Sequence, residues 1–345
     1  MDRFAYLAPL GIGAGTVLFA IAGVAALAHF ARRRERTSAR ERVLGFHEAL
    51  AAAGRGDGSG ADLAAEARDV EAGTFWTAIE NASLTRRLSP RVAQALRANP
   101  HVAAERRALR DDSPWRRELA ARRLGLLPVR PARNALRRAL VRGPESVTQV
   151  AAFALARHRD GGALRWLLEH PAAIAHRTPR ARFELLRAFG RGAHPRLLAA
   201  LERGVSDPTL ERAVIDVLGA GACAAAAPAI AARLVHPDVE LRIAAARALG
   251  RLAARDASPA LIAALADPEW AVRAQAARAL GRCGGAEAVV PLGTRVEDRA
   301  WWVRRHAAYA LAVLGNPGRA ELMRISNGSA DRYAREMADE ALAAG

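Results

Sequence analysis

The sequence predicts an all-α fold: an α-solenoid of about nine stacked helix pairs, preceded by one transmembrane helix. Three observations carry that expectation. The first is an echo at a step of 31 residues, with Leu218, Leu249, Leu280, Leu311 and Leu342 at its anchor position. An upstream pair, Leu124 and Leu155, keeps the same step, and Phe189 lies between the runs with steps of 34 and 29 around it. The second is helical spacing inside each unit, where Val272, Ala276, Ala279 and Leu280 fall on one stripe. The third is an N-terminal stretch, Phe4 to Phe30, without one Asp, Glu, Lys or Arg. No run of alternating Val, Ile and Thr occurs, so strands are not expected.

The first element is the apolar stretch, residues 4–30. Its 27 residues, at ~1.5 Å of rise each, span a ~30 Å hydrocarbon core with room for tilt. A signal peptide has a shorter apolar run and a basic start, whereas this chain opens Met1-Asp2-Arg3; an uncleaved anchor is the better reading, although Ala26 and Ala28 mimic a cleavage site. Arg32, Arg33, Arg34, Arg36 and Arg40 follow at once and favour the cytoplasmic side, with the N-terminus outward. Gly11 and Gly15 form a G-x-x-x-G, either a face for helix pairing in the membrane or a by-product of an Ala- and Gly-rich chain. The two cysteines, Cys223 and Cys283, suit a reducing compartment and show no disulfide or metal spacing.

Residues 31–63 read as a basic flank and flexible linker, because Ala51–Asp62 is rich in Gly and Ser. Within or near it, Arg55-Gly56-Asp57 and Asn81-Ala82-Ser83 match adhesion and glycosylation motifs, by chance in a segment expected in the cytoplasm. Residues 64–98, with Phe75 and Trp76, are expected as capping helices that seal one end of the stack.

The solenoid is expected over residues 99–345. Alanine pairs recur just before the anchor, as at Ala245-Ala246, Ala276-Ala277 and Ala307-Ala308, and let neighbouring helices approach closely. Short turns with Asp and Pro (Asp207-Pro208, Pro237-Asp238, Asp267-Pro268) begin the second helix of a pair: Asp caps and Pro suits the first turn. A turn Asp, an Arg six positions on and an A-A-x-A-L-G ending recur: Asp267, Arg273 and residues 276–281, then Asp298, Arg304 and residues 307–312, with Asp111 and Arg117 upstream. This pattern resembles HEAT repeats, especially the short bacterial form named after phycobilisome lyases, over roughly residues 85–345. Arg182, Arg242 and Arg335 keep the Arg position without the Asp, whereas Thr148 and Glu211 depart from it, so residues 145–219 are the weakest units. The resemblance implies that Asp111, Arg117, Asp267, Arg273, Asp298 and Arg304 form a structural ladder between repeats rather than a ligand site. It implies almost nothing about function, because unrelated proteins share the repeat.

The formal charge of +17 is unevenly spread. Residues 84–145 carry +11, whereas residues 206–345 carry only +1. The chain has no Lys, a mark of codon bias, but the positive excess is not explained that way. Arg106, Arg107, Arg116, Arg117, Arg122, Arg123, Arg137 and Arg138 form the candidate basic patch. Four readings stay open for it: an anionic membrane surface, an acidic protein partner, nucleic acid, or a merely solvated face. Nucleic acid is the least favoured, because aromatics are not interleaved with the arginines and a membrane tether is an odd start for it.

Catalysis finds little footing. Some HEAT-like proteins are iron-dependent hydroxylases with repeated His-Glu pairs, but here His47-Glu48 stands outside the repeats and the other histidines hold no shared position. Other HEAT-like proteins are DNA glycosylases or handle bilins, and no specific signature of either occurs; no nucleophile–base motif or phosphate loop is visible. No catalytic residue, cofactor, metal or small-molecule substrate is assigned. Trp270 and Trp301 stand at equivalent repeat positions, followed by Trp302, as packing residues or an aromatic interface, with packing favoured. The expectation is therefore a scaffold on the cytoplasmic face of a bacterial inner membrane, single-pass and N-terminus out. Its client would be a membrane-associated protein such as a glycosyltransferase-type enzyme. The alternatives are a basic solenoid for nucleic acid or anionic lipid, or a HEAT-like enzyme of glycosylase or lyase type.

Overall fold

Capped starts set the rhythm of this chain: Ser89-Pro90, Asn99-Pro100, Thr178-Pro179 and Asp207-Pro208 each open a helix, the first side chain accepting a backbone N–H while proline takes the first turn. A computed structural model describes residues 8–85 and 88–344, with side chains left undescribed at 8–26 and at a few further positions. All regular structure among the described residues is helical. The chain divides into two compact units, residues 1–135 and 136–345.

In the first unit, α1 (Ala8–Arg55) is followed by α2 (Gly60–Glu66), α3 (Ala72–Thr85), α4 (Pro90–Ala95), α5 (Pro100–Ala108) and α6 (Pro114–Leu124); α7 (Arg130–Arg142) crosses the division. Helix α1 corrects the expected domain boundaries. The basic flank and residues 51–55 of the expected flexible linker belong to one 48-residue helix, and the break is confined to residues 56–59. The reason lies in its last third: Phe46, Leu50 and Ala53 are buried, and α1 packs on α2 and α4. Phe46 stacks on Phe75 at 5.6 Å, and Phe75 meets Trp76 edge-on at 5.0 Å. The cap expected over residues 64–98 thus includes the end of α1. Asn99 ties α5 to the cap by donating to the Ala67 carbonyl at 2.8 Å.

Among the described residues no helix is long and apolar enough to cross a membrane. The expected anchor falls on residues 4–30, of which 4–7 lie outside the described residues and 8–26, with Gly11 and Gly15, are described in backbone only, as part of α1.

The second unit is a solenoid-like array of helix pairs. Its helices are α8 (Glu145–Arg157), α9 (Gly161–Glu169), α10 (Pro179–Ala188), α11 (His194–Arg203), α12 (Pro208–Ala220), α13 (Ala227–Ala231), α14 (Val239–Leu252), α15 (Ser258–Ala264), α16 (Trp270–Cys283), α17 (Val289–Arg295), α18 (Trp301–Val313), α19 (Asn316–Gly328) and α20 (Arg332–Ala344). From α8 to α20 each even-numbered helix packs on the next even one, and the odd-numbered helices form the second layer. The anchors explain the stacking: Leu155, Leu218, Leu249, Leu280 and Leu311 are fully buried, as are Ala245, Ala276 and Ala307. The glycine of the L-G ending supplies close approach. A Cβ on Gly219 would stand 2.7 Å from Ala248 Cβ, and one on Gly250 would stand 2.9 Å from Ala279 Cα.

Candidate interaction surfaces

The ladder is built from turns. Asp207 and Asp238 cap α12 and α14, accepting from Leu210 N at 2.6 Å and Glu240 N at 2.7 Å. Asp267 and Asp298 do not cap; they sit two residues before the N-cap, accepting from Glu269 N at 2.8 Å and Ala300 N at 2.9 Å, and α16 and α18 begin at the tryptophans. Arg273 then lies where it can bridge. It donates to the carbonyls of Asp267 at 2.8 Å and Pro268 at 3.0 Å in its own turn. It also holds the Asp298 carboxylate of the next turn with two bonds, 2.8 and 2.9 Å. Arg242 repeats this on Asp267 at 2.8 and 3.1 Å, and Arg182 reaches Asp207 at 2.7 Å. Burial pushes the Asp298 carboxyl up, but the hydrogen bonds from Arg273 and Ala300 N–H and the charges of Arg273 and Arg295 outweigh it and hold the group below the ordinary carboxylate value. Arg273 is held more tightly protonated by the same pair.

Other positions of the pattern differ. Arg304 donates to the Asp298 carbonyl at 3.1 Å and lies over the Tyr333 ring at 5.3 Å, with Ser329 in place of the next Asp. Arg117 donates to the carbonyls of Asp111 and Asp112 at 2.7 and 3.0 Å, so Asp111 serves it through the backbone. At Glu211 the charges are reversed: Arg233 donates to this buried carboxylate at 2.9 Å. The departure read in the sequence is therefore an inverted rung.

The candidate basic patch is divided between the two units, and several of its arginines are already paired. Arg116 and Arg123 converge on buried Glu105, at 2.6 and 2.9 Å. Arg137 belongs to the second unit and clamps the buried Asp160 with two bonds of 2.9 Å. Arg117 is engaged in its turn. Arg106, Arg107 and Arg122 remain exposed in the first unit and Arg138 in the second. Regional charge sums could not separate these, because Glu105 stands 18 residues before Arg123.

Trp270, Trp301 and Trp302 are 45%, 44% and 50% exposed, so about half of each ring is packed and half is in water. Trp301 and Trp302 meet edge-on at 4.7 Å, and Arg305 lies over Trp301 at 5.5 Å and over Tyr309 at 4.8 Å. Tyr333 extends the exposed aromatics onto α20. Trp302 also stacks on His306 at 6.0 Å, so these rings are held by neighbours while about half of each stays exposed.

Sequence reasoning missed a recess of about 500 Å³ lined by α10, α12 and α14, with Phe183, Asp216, Arg247 and Arg251 in its walls. A smaller adjoining recess of about 60 Å³, sharing Arg247 and Arg251 with it, is lined by Arg278 and Arg282 on α16. The signal was in the sequence: Arg247 and Arg278, like Arg251 and Arg282, are 31 residues apart. Elsewhere, burial pushes the Cys283 thiol up to about 11, and it donates to the Ala279 carbonyl at 3.1 Å, so it is an inert core group. No cluster of three His, Cys, Asp or Glu able to hold a metal ion occurs among the described residues.

A family model described as HEAT repeats matches residues 194–269 and 258–343, the stretch from α11 to α20 that contains the rungs of Arg242 and Arg273. No curated protein matches the chain. Among solved structures, the crystal structure of an engineered protein is similar over 89% of this chain and 94% of that chain, at 19% identity and a TM-score of 0.44, too slight a likeness to argue from.

Proposed function

We propose that the protein is a single-pass, membrane-tethered scaffold that holds another protein on the cytoplasmic face of a bacterial inner membrane. The HEAT repeats of residues 194–343 are consistent with protein interaction. The observation that carries the reading is the exposed row of Trp270, Trp301 and Trp302: large rings left half in water at repeated positions are what protein interfaces bury. The tether rests on the uncharged stretch from Phe4 to Phe30 and its arginine flank. The client is a membrane-associated protein, with a glycosyltransferase-type enzyme as one form it takes, and the chain itself performs no reaction. A second reading, attraction of the first unit to anionic lipid, is favoured by exposed Arg106, Arg107 and Arg122, each contributing about 1 kcal/mol near such a surface.

The test is affinity capture of the full chain from detergent-solubilised membranes, beside a Trp301→Ala/Trp302→Ala variant, read by mass spectrometry. One dominant membrane protein, held by the parent and depleted at least tenfold by the variant, is the expected result, since two interface tryptophans supply ~2 kcal/mol or more each. An eluate rich in RNA, or equal capture by both proteins, overturns the reading.

A further inference from the structure

The recess on α10, α12 and α14 and the smaller one adjoining it on α16 carry a charge pattern that the scaffold reading does not use. Arg247 and Arg251 lie one helical turn apart on α14, and Arg278 and Arg282 repeat them on α16. Four residues of helix rise ~6 Å and packed helix axes lie ~8–10 Å apart, so the four guanidinium stems stand at the corners of a small rectangle. Asp216 on α12 occupies the same repeat position as Arg247 and Arg278. It accepts from Arg247 at 2.9 and 3.0 Å and stands 3.7 Å from Arg251. Arg212 is paired with Glu240 at 2.5 Å. Arg180, Arg278 and Arg282 have no ion-pair partner among the described residues, so the surface keeps a positive surplus although residues 206–345 as a whole are near neutral. That near-neutrality arises because acids such as Asp267 and Asp298 are committed to the ladder. On the neighbouring helix, burial first and then the charges of Arg278 and Arg305 push the His306 imidazole below the ordinary value.

The shape narrows the occupant. A bilayer surface is flat and does not enter a recess. A phosphate chain would bring a charge at every step onto Asp216, whose carboxylate faces the recess. An extended peptide fits better. Its alternate residues stand ~6.6 Å apart, close to the ~6 Å step between Arg247 and Arg251, so carboxylates two residues apart meet successive guanidinium groups in charge-assisted pairs. Pro179 and Phe183 offer an apolar wall to a neighbouring side chain.

We infer that this recess docks an extended acidic peptide segment, with carboxylates at alternate positions beside one apolar residue, through Arg247, Arg251, Arg278 and Arg282. The inference rests on the scaffold reading and adds to it a set of contact residues other than the tryptophans.

The test uses the full chain in uncharged detergent and a fluorescein-labelled peptide with glutamates at alternate positions around one leucine. The controls are the same peptide with glutamine for glutamate, and an oligothymidylate of equal charge; anisotropy is read against salt. Saturable binding of the glutamate peptide is expected. The pairs Arg247→Gln/Arg251→Gln and Arg278→Gln/Arg282→Gln each weaken it by roughly tenfold or more, the loss of a charge-assisted contact. Asp216→Asn tightens it severalfold, an increase that misfolding does not mimic. Parent-level binding by both arginine variants, equal binding of the glutamine peptide, weaker binding by a folded Asp216→Asn, or tighter binding of the oligothymidylate overturns the inference. If it fails while tryptophan-dependent capture of a membrane protein persists, the scaffold reading stands; if that capture fails as well, both fall.

Discussion

Arg273 shows how one side chain joins two repeats. Its guanidinium ties down the carbonyls of its own turn while clamping the carboxylate of the next, and both charged groups are almost wholly buried, with side chains 6% and 4% exposed. Removing one partner of such a pair leaves an uncompensated buried charge, at a cost of about 3–5 kcal/mol. Asp298→Ala is therefore expected to lower unfolding free energy by about that amount at neutral pH, measured by denaturant titration. Arg304→Gln, which breaks no carboxylate pair, should lose about 1 kcal/mol. The pair also has a pH signature. Its carboxyl lies below the ordinary value of 3.8 when folded, so as pH falls the unfolded chain takes up the proton first. The stability from Asp298 is thus full above that value and disappears as pH falls through the folded one; in Asp298→Asn this acid slope is absent. The residue types of the ladder were legible from their spacing of six, but their pairing was not. The carboxylate that Arg273 holds is 25 residues ahead, in the next unit, and only stacking brings it near. The same limit scattered the basic patch, since Glu105 on one helix gathers Arg116 and Arg123 from the next.

At the scale of helices, the L-G ending is a packing device. Glycine inside a helix costs up to ~1 kcal/mol against alanine, yet Gly219, Gly250 and Gly281 persist at the step of 31, each facing an alanine of the next even helix: Ala248, Ala279 and Ala310. The backbone atoms there leave no room for a methyl group. Gly250→Ala should therefore destabilise the protein by about 1–3 kcal/mol, although its helix propensity improves, because overpacking outweighs the propensity gain. Hydrogen exchange should show lost protection in both α14 and α16; protection equal to the parent's would mean that the two helices separate freely and that the close approach is not needed. The repeat itself was legible because period 31 and the buried leucines coincide. The end of α1 was not. A Gly- and Ser-containing stretch suggested a flexible linker over residues 51–62, after the basic flank, and nothing local told that Phe46 would find Phe75 to stack on. Tertiary burial kept the segment helical up to Arg55.

At the scale of the whole molecule, the proposed tether and the folded units are joined by one helix rather than by loose chain. The 48 residues of α1 extend roughly 72 Å at ~1.5 Å per residue, more than twice a ~30 Å hydrocarbon core. Phe46, buried in the first unit, follows Phe30 by 16 residues, or about 24 Å of helix. If the uncharged stretch spans the bilayer, the first unit is therefore held within a protein radius of the leaflet, where its exposed Arg106, Arg107 and Arg122 meet whatever charge the surface carries. Orientation decides whether any of this takes place in the cytoplasm. The five arginines between residues 32 and 40 oppose translocation of that flank, whereas the segment before the stretch holds only Asp2 and Arg3. A C-terminal phosphatase fusion, active only after export, should accordingly stay dark in a bacterial host, and a fusion that fluoresces only when folded in the cytoplasm should light the membrane fraction. Replacing those arginines with glutamine should reduce that bias, because the remaining charge difference across the stretch is close to nil. A bright phosphatase fusion in the parent would place the helix pairs outside, and with them both the tryptophan row and the arginine-lined recess, so that a cytoplasmic client would have to be abandoned together with the topology.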